Sequence, residues 1–332
     1  MTSIADQFDG FKALFTGETY ECKLDAKSLK KAKDELNEDP REREAALKQF
    51  RQWVKEQPHY TCCLDSTFLL MFLRRCKFSQ LEARKMLDHY ITMSVKMVPE
   101  WMLKNDILDP RAKAAFLTGF CVPLPQRDDQ GRRLLLMKPG VLNPEKNEYD
   151  GTDVYRAIGA MFMVLQREDM TQVNGYVFFQ DYTGMSPKHI TFFGIENMKK
   201  STKFWQDNFP ARFKEMHYYN TGAVFEAIMQ LIKPFLSKKI QDRIKVYGNN
   251  MEDVYKNIPM KCLPSDYLPD DYKGSNTYSM MEIVESFYKK MSELEISKRI
   301  KYCSTELMGL DESKRPSNKD EPQASFRKLN ID

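Results

Sequence analysis

Two pairs of cations are spaced so that each pair shares a face. Arg212 and Lys214 lie two apart at the start of an expected strand, and Lys239 and Arg243 lie four apart on an expected helix. Guanidinium and ammonium groups that converge can form charge-assisted hydrogen bonds to an anion such as a phosphate. The stretch that holds them, 186–248, carries eleven Lys or Arg against five Asp or Glu, a local charge of +6 in a chain whose net charge is only +4. Between the pairs runs Val224–Leu236, VFEAIMQLIKPFL, apolar at nine of thirteen positions. Val224, Ile228, Leu231 and Phe235 make one row; Phe225, Met229, Ile232 and Leu236 make the next. Such a helix is either core on all sides or faces something apolar besides its own protein. It is too short to cross a bilayer, and Lys233-Pro234 should kink or interrupt it. The cations also read two ways. They are scattered charge on a solvated face, or, with the apolar helix, a surface that docks on an anionic bilayer.

Other chemistries lack their residues. The chain has 14 glycines, and the closest two, Gly10 and Gly17, are seven residues apart. Dinucleotide fingerprints, phosphate-binding loops and serine-hydrolase elbows all need closer spacing, so that a backbone can approach a phosphate or expose a nucleophile. The four histidines, at 59, 89, 189 and 217, never sit at metal-ligand spacing. His217 could meet Asp207 or Cys262 in space, but a lone histidine is far more often structural. The expectation is no catalytic residue, no metal and no cofactor beyond a bound apolar ligand. Seven cysteines with no C-x-x-C pair read as reduced thiols of a cytosolic protein. The N-terminus has no basic flank followed by an apolar run, so it does not read as a signal peptide. Nucleic acid is not an expected partner, because the cations sit beside an apolar helix rather than along an extended stripe.

The elements that must position these residues change along the chain. Through about residue 108 the pattern is helical. Asp39-Pro40 with Glu42 reads as a helix start, Phe68–Leu73 as a short buried helix with Arg74 and Arg75 placed favourably at its C-terminal end, and Ser79–Glu82 as a capping box. From Gly119 short apolar runs at Arg133–Lys138, Tyr176–Asp181, Arg212–Tyr219 and Ile244–Tyr247 alternate with helical stretches at Asp153–Glu168 and Pro187–Trp205. That alternation predicts an α/β domain with a mostly parallel sheet. Met161, Phe162, Phe178, Phe179, Phe204, Trp205 and Met216 fall in this part and suit either core or an adaptable apolar cavity. Ser279–Glu282 opens another helix. From about Gly309 onward Lys, Asp, Ser and Pro dominate, and the expectation is a frayed or disordered tail.

With these residues in place, the sequence resembles the CRAL-TRIO lipid-binding family. The similarity runs through FLLMFLRRCKFSQLEARKMLDHY (68–90), then Asn174-Gly175 leading into Tyr176–Asp181, Phe209-Pro210, His217 and Asn220. It continues through Ile232–Leu236, Lys239-Ile240, Arg243-Ile244 and Leu268–Tyr272, covering roughly 45–274. The resemblance implies an N-terminal extension (1–24), a helical domain (25–112) and an α/β lipid-binding domain (113–275). A C-terminal helix and tail (276–332) would follow. It implies one hydrophobic ligand under a mobile helical gate that falls on Val224, Phe225, Ile228, Met229, Leu231 and Ile232. Implied pocket positions are Tyr155, Ile158, Phe162, Tyr176, Phe178, Ser201, Phe204, Trp205 and Met216. The four cations Arg212, Lys214, Lys239 and Arg243 fall on the family's phosphoinositide cleft. At the hinge, Thr221-Gly222 follows Asn220 where many relatives have Glu-Pro.

The expected function is therefore a monomeric cytoplasmic carrier. It would sequester an isoprenoid, retinoid or tocopherol-like molecule and exchange it during transient peripheral contact with phosphoinositide-containing membranes. The alternatives are a phosphoinositide-sensing signalling or scaffold module without cargo and, ranked below it, a lipid-modifying enzyme built around His217.

Overall fold

The computed structural model describes residues 3–275 and 278–316. Its N-terminal part is helical. The helix Ala26–Leu36 starts at Asp25, whose carboxylate accepts from the Ser28 N–H at 2.7 Å, and stops at Asn37 in the left-handed region. The next helix, Arg43–Lys55, begins later than Asp39 because the Asp39 carboxylate is spent on a turn. It accepts from the backbone N–H and the guanidinium of Arg41, each at 2.9 Å. Ser66–Arg75 is the buried apolar helix expected from its composition, and Gln80–Lys96 follows with Ser79 as its cap. Arg74 departs from the role of a helix-end cation. It is fully buried and donates to Glu38, Asp169, Gln172 and Tyr20, joining this helix to the following domain.

A two-stranded ribbon, β1 (Tyr60–Cys62) with β7 (Met308–Leu310), pairs antiparallel, Thr61 opposite Gly309. Gly309 thus does not open a frayed tail. The chain pairs there, and Arg315 then donates to Asp88 at 2.6 Å. The part of the expected tail from 317 onward lies outside the described residues. Between Met280 and Thr305 the C-terminal region holds two helices, Met280–Met291 and Leu294–Thr305.

The main sheet has five strands in the order β2 (Cys121–Arg127), β3 (Arg133–Met137), β4 (Tyr176–Asp181), β5 (Phe213–Tyr219) and β6 (Ile244–Val246). All neighbours are parallel except β2–β3. Strand β2 contains Pro123 and Pro125, which an edge strand tolerates because one side of its backbone needs no ladder donor. The helix expected at Asp153–Glu168 runs Gly151–Leu165, capped by Asp150, and a short helix Asp169–Asn174 follows. The one expected at Pro187–Trp205 is broken by Gly194 (φ 73°) into Pro187–Phe193 and Ile195–Lys203, and a π turn, Phe204–Asn208, leads out. Among the described residues no helix is long and apolar enough to cross a membrane.

Candidate functional site

Alternation along the sheet decides what faces the ligand side. Phe178 and Gln180 of β4, Met216 and Tyr218 of β5, and Ile244 of β6 line a cavity of about 270 Å³. Tyr155, Ile158 and Phe162 of the helix Gly151–Leu165 form another wall, and Met198, Ser201 and Trp205 a third. Seven of the nine expected pocket residues are therefore brought together: Tyr155, Ile158, Phe162, Phe178, Ser201, Trp205 and Met216. Two are not. Tyr176 shares a strand face with Phe178 but sits one pleat further back, fully buried, its ring 5.4 Å from that of Phe162. Phe204 is fully buried and turns to Tyr90 and Phe209 of the surrounding core. The sequence reading missed Gln180, Tyr218, Thr202 and Gln206, which bring polar groups to an otherwise apolar lining.

The helix Ala223–Ile232 lies across this cavity rather than inside a solid core. Ile228 and Ile232 point into the hollow, joined by Leu236 beyond the 3-10 turn Lys233–Phe235 that Pro234 imposes. Phe225 is buried near the hinge end, its ring 5.2 Å from Tyr182 and 5.0 Å from Tyr218. Val224, Met229 and Leu231 do not line the cavity. They are half-buried, while Glu226 and Gln230 face outward. Phe235 at the far end is 46% exposed, with the Lys199 ammonium 5.5 Å from its ring centre. The hinge is held by Asn220, which takes a positive φ of 52° and donates to Thr183 at 2.7 Å. Gly222, next along, has open space around it.

Behind the cavity lies a second hollow of about 190 Å³, lined by Arg212, Lys214, Lys239 and Arg243. All four expected cations meet there, and a fifth, Arg75, enters from the helical domain. Its Nε is buried without a hydrogen-bond partner among the described residues. Arg75 escaped the sequence reading because, next to Arg74, it looked like one of two helix-end charges. Phe213, Gln206 and Ile240 border both hollows, so one thin wall divides the apolar cavity from the basic cleft.

The local backbone explains the convergence. At Gly175 (φ 84°) an added Cβ would lie 2.3 Å from the Arg212 carbonyl, so only glycine lets β4 approach that segment. Tyr176 pairs with Phe213 and Val177 with Glu215, which leaves Lys214 as an extra bulged residue in β5. The bulge lets Phe213 and Met216 both face the cavity while Lys214 joins the cleft.

Electrostatics in the cleft are not those of bare cations. Arg212 donates to Glu35 at 2.6 Å and to the Val173 carbonyl, and Arg243 donates to the Phe213 carbonyl. Burial acts to raise the Glu35 carboxyl, but the hydrogen bond and charge of Arg212, aided by Lys214, hold it below its ordinary value. Lys214 is pushed down to about 8, first by burial and then by Arg212 beside it. Arg75 is likewise disfavoured as a cation by burial, and Arg212 and Arg243 add to this. A bound phosphate would favour the charged form of both cations.

His217 gives no second chemistry to the cavity. It sits on the opposite face of β5 from Met216 and Tyr218, with no exposed surface. Its Nδ1 is 2.8 Å from the Tyr247 hydroxyl and its Nε2 2.9 Å from Glu215.

Comparison with known proteins places this geometry. Residues 117–267 match the model of the CRAL/TRIO domain, and residues 39–112 that of a Pinta-like UBA domain. The chain is 34% identical over 249 residues to the alpha-tocopherol transfer protein-like protein of Homo sapiens, covering 75% of this chain and 71% of that protein. It is similar to clavesin-1 of Pongo abelii at 30% identity over 309 residues (87% and 85%). Clavesin-1 of Xenopus laevis is similar at 32% over 248 residues (74% and 73%). An apolar hollow floored by a mostly parallel sheet and covered by the 223–232 helix, with these matches across both halves, makes the chain a member of the CRAL/TRIO lipid-binding family.

Proposed function

We propose that the protein carries one isoprenoid, retinoid or tocopherol-like molecule in the 270 Å³ cavity and exchanges it at membranes that display phosphoinositide headgroups. The observation that carries this reading is the shared wall: Phe213, Gln206 and Ile240 touch both the apolar cavity and the five-cation cleft. A ligand of ~15 buried carbons gains on the order of 10 kcal/mol at ~0.8 kcal/mol per methylene, before entropic losses. Such a molecule leaves water-bound protein slowly. At a bilayer the barrier falls, because the underside of the gate, Ile228 and Ile232, and the exposed Phe235 transfer into lipid as the helix lifts. The headgroup phosphates, held by Arg75, Arg212, Lys214, Lys239 and Arg243, keep the wall over the membrane while this happens. A cavity near the lower end of the usual ~300–1,000 Å³ for small-molecule sites fits one ligand, and a longer one requires the gate to move outward. The name of the tocopherol-transfer-like relative supports this class of cargo.

Organic extraction of the purified chain, followed by mass spectrometry, should recover one apolar molecule per protein. Transfer of a loaded retinoid or tocopherol to phosphatidylcholine vesicles should accelerate when phosphatidylinositol bisphosphate is included. The double substitution Lys239→Glu with Arg243→Glu should remove that acceleration while the ligand load is retained. A chain that binds these vesicles yet takes up neither ligand would be a membrane sensor instead of a carrier.

A further inference from the structure

The cysteines at 63 and 303 meet where the N-terminal and C-terminal segments close on each other. Cys63 follows β1, and Cys303 lies on the helix Leu294–Thr305 just before β7. Both are buried, at 2% and 7% exposure. Cys63 and Cys303 line one small hollow, and Arg167 donates to the Cys63 sulfur at 3.5 Å. Arg167 and Arg299 converge on a single carboxylate, Asp65, at 3.3 and 2.6 Å. Cys303 across the hollow and the guanidinium of Arg167 act to lower the Cys63 thiol against burial, while Cys303 is pushed up and stays protonated. Neighbouring Cys62 is turned away, its Sγ directed at the Cys63 carbonyl at 3.4 Å. A hollow of about 30 Å³ is lined by both Cys63 and Cys303, together with Arg167.

We propose that Cys63 and Cys303 form an oxidation site, in which a small hydroperoxide converts the pair to a disulfide that ties the segment after β1 to the helix Leu294–Thr305. The Cys63 thiolate attacks one peroxide oxygen and the O–O bond breaks. Sulfur is oxidised by two electrons to sulfenic acid as it takes the terminal OH, and the rest of the peroxide leaves as hydroxide or alkoxide, which takes a proton from solvent water. Cys303 then attacks the Cys63 sulfur: the S–S bond forms, the S–O bond breaks, and the departing hydroxyl leaves as water with the Cys303 proton. Arg167 positions the thiolate and shields the developing charge.

The test uses the full chain exposed to hydrogen peroxide near neutral pH, quenched in denaturant with iodoacetamide and mapped by mass spectrometry. A peptide linked through Cys63 and Cys303 should accumulate before the exposed Cys22 is modified. The melting temperature should rise on the order of 5–10 °C and return on reduction, because the link closes a loop spanning most of the chain. Cys63→Ser removes the anion beside Arg167 and risks misfolding. The informative variant is therefore Cys303→Ser, in which Cys63 should stall as a sulfenic acid that dimedone traps. Full alkylation of both residues while Cys22 oxidises, a link through Cys62 instead, or no dimedone adduct at Cys63 in Cys303→Ser would each overturn the proposal.

Discussion

Glu35 holds Arg212 at 2.6 Å from a helix 177 residues earlier in the chain, and its same oxygen lies 3.9 Å from Lys214. The protein thus keeps its own carboxylate against two of the cations that would grip a phosphate. Glu35 is 45% exposed, so water screens the pair and its worth is small. Replacing Glu35→Gln keeps a hydrogen-bond acceptor for Arg212 and removes the charge. Affinity for vesicles containing phosphatidylinositol bisphosphate should rise about two- to fivefold, the scale of an exposed ion pair. Co-sedimentation at low salt measures it. A fall in affinity would mean that Glu35 serves the cleft by orienting Arg212.

Lys214 makes the same cleft sensitive to pH. Its ammonium titrates near 8, against an ordinary value of 10.5, because burial and Arg212 disfavour its charge. Between those two values the unfolded chain binds the extra proton and the folded one does not, so this group's contribution to stability rises with pH across the window. Anion binding runs the other way. A phosphate beside Lys214 restores its proton, and affinity should fall as pH rises through 8, by about tenfold for each unit the phosphate adds to the Lys214 pKa. Vesicle binding compared at neutral and alkaline pH should show the decline, and Lys214→Arg should flatten it. A pH-independent profile for the wild type would remove Lys214 from the phosphate contact.

Ile228 tests the gate without touching the cleft. It is 5% exposed and faces the cavity from the underside of the helix Ala223–Ile232. In Ile228→Asp an unpaired carboxylate would have to sit against an apolar ligand, at a cost of several kcal/mol. Ligand retention should drop at least about 100-fold, as read by Trp205 fluorescence on titration with a retinoid, while vesicle binding persists. Undiminished loading would mean that the ligand does not lie beneath this helix.

The parts of this site readable from the sequence are those that obey a local rule. Tyr176–Asp181 forms a strand with the bounds its composition suggests, and Pro234 ends the gate helix where proline must. The four cations meet as expected, but not by spacing on one element: Arg212 precedes β5 and Lys214 is its bulge, while Lys239 sits on the short helix Lys238–Gln241 and Arg243 follows that helix. What stayed hidden depends on tertiary detail. Arg75 and Glu35 reach the cleft from the helical domain, and no local pattern distinguishes them from surface charges. Tyr176 and Phe178 have the same face and similar size, and only the depth of the hollow separates lining from core. Pro123 and Pro125 disguise β2, since edge position is a property of the assembled sheet.

Arg74 should matter more to stability than any cation in the cleft. It has no exposed surface and joins Glu38, also fully buried, to Asp169, which is 4% exposed. Burial acts to raise the Glu38 carboxyl, but Arg74, with Arg43 behind it, keeps it below its ordinary value. Asp169 would retain the Tyr20 hydroxyl and the Lys23 N–H, but Arg74→Met leaves two buried carboxylates facing each other with one of their cations gone. The loss should be about 3–5 kcal/mol, seen as a lower urea midpoint. By contrast Arg41→Ala, which breaks a pair with Asp39 whose arginine is 88% exposed, should leave the urea midpoint essentially where it is. Because Glu38 belongs to the helical part and Asp169 to the α/β part, Arg74→Met should also split unfolding into two transitions if this contact is what makes the two parts melt together. A single transition with an unshifted midpoint would show instead that the interface is held by its apolar packing, with the buried ions contributing little.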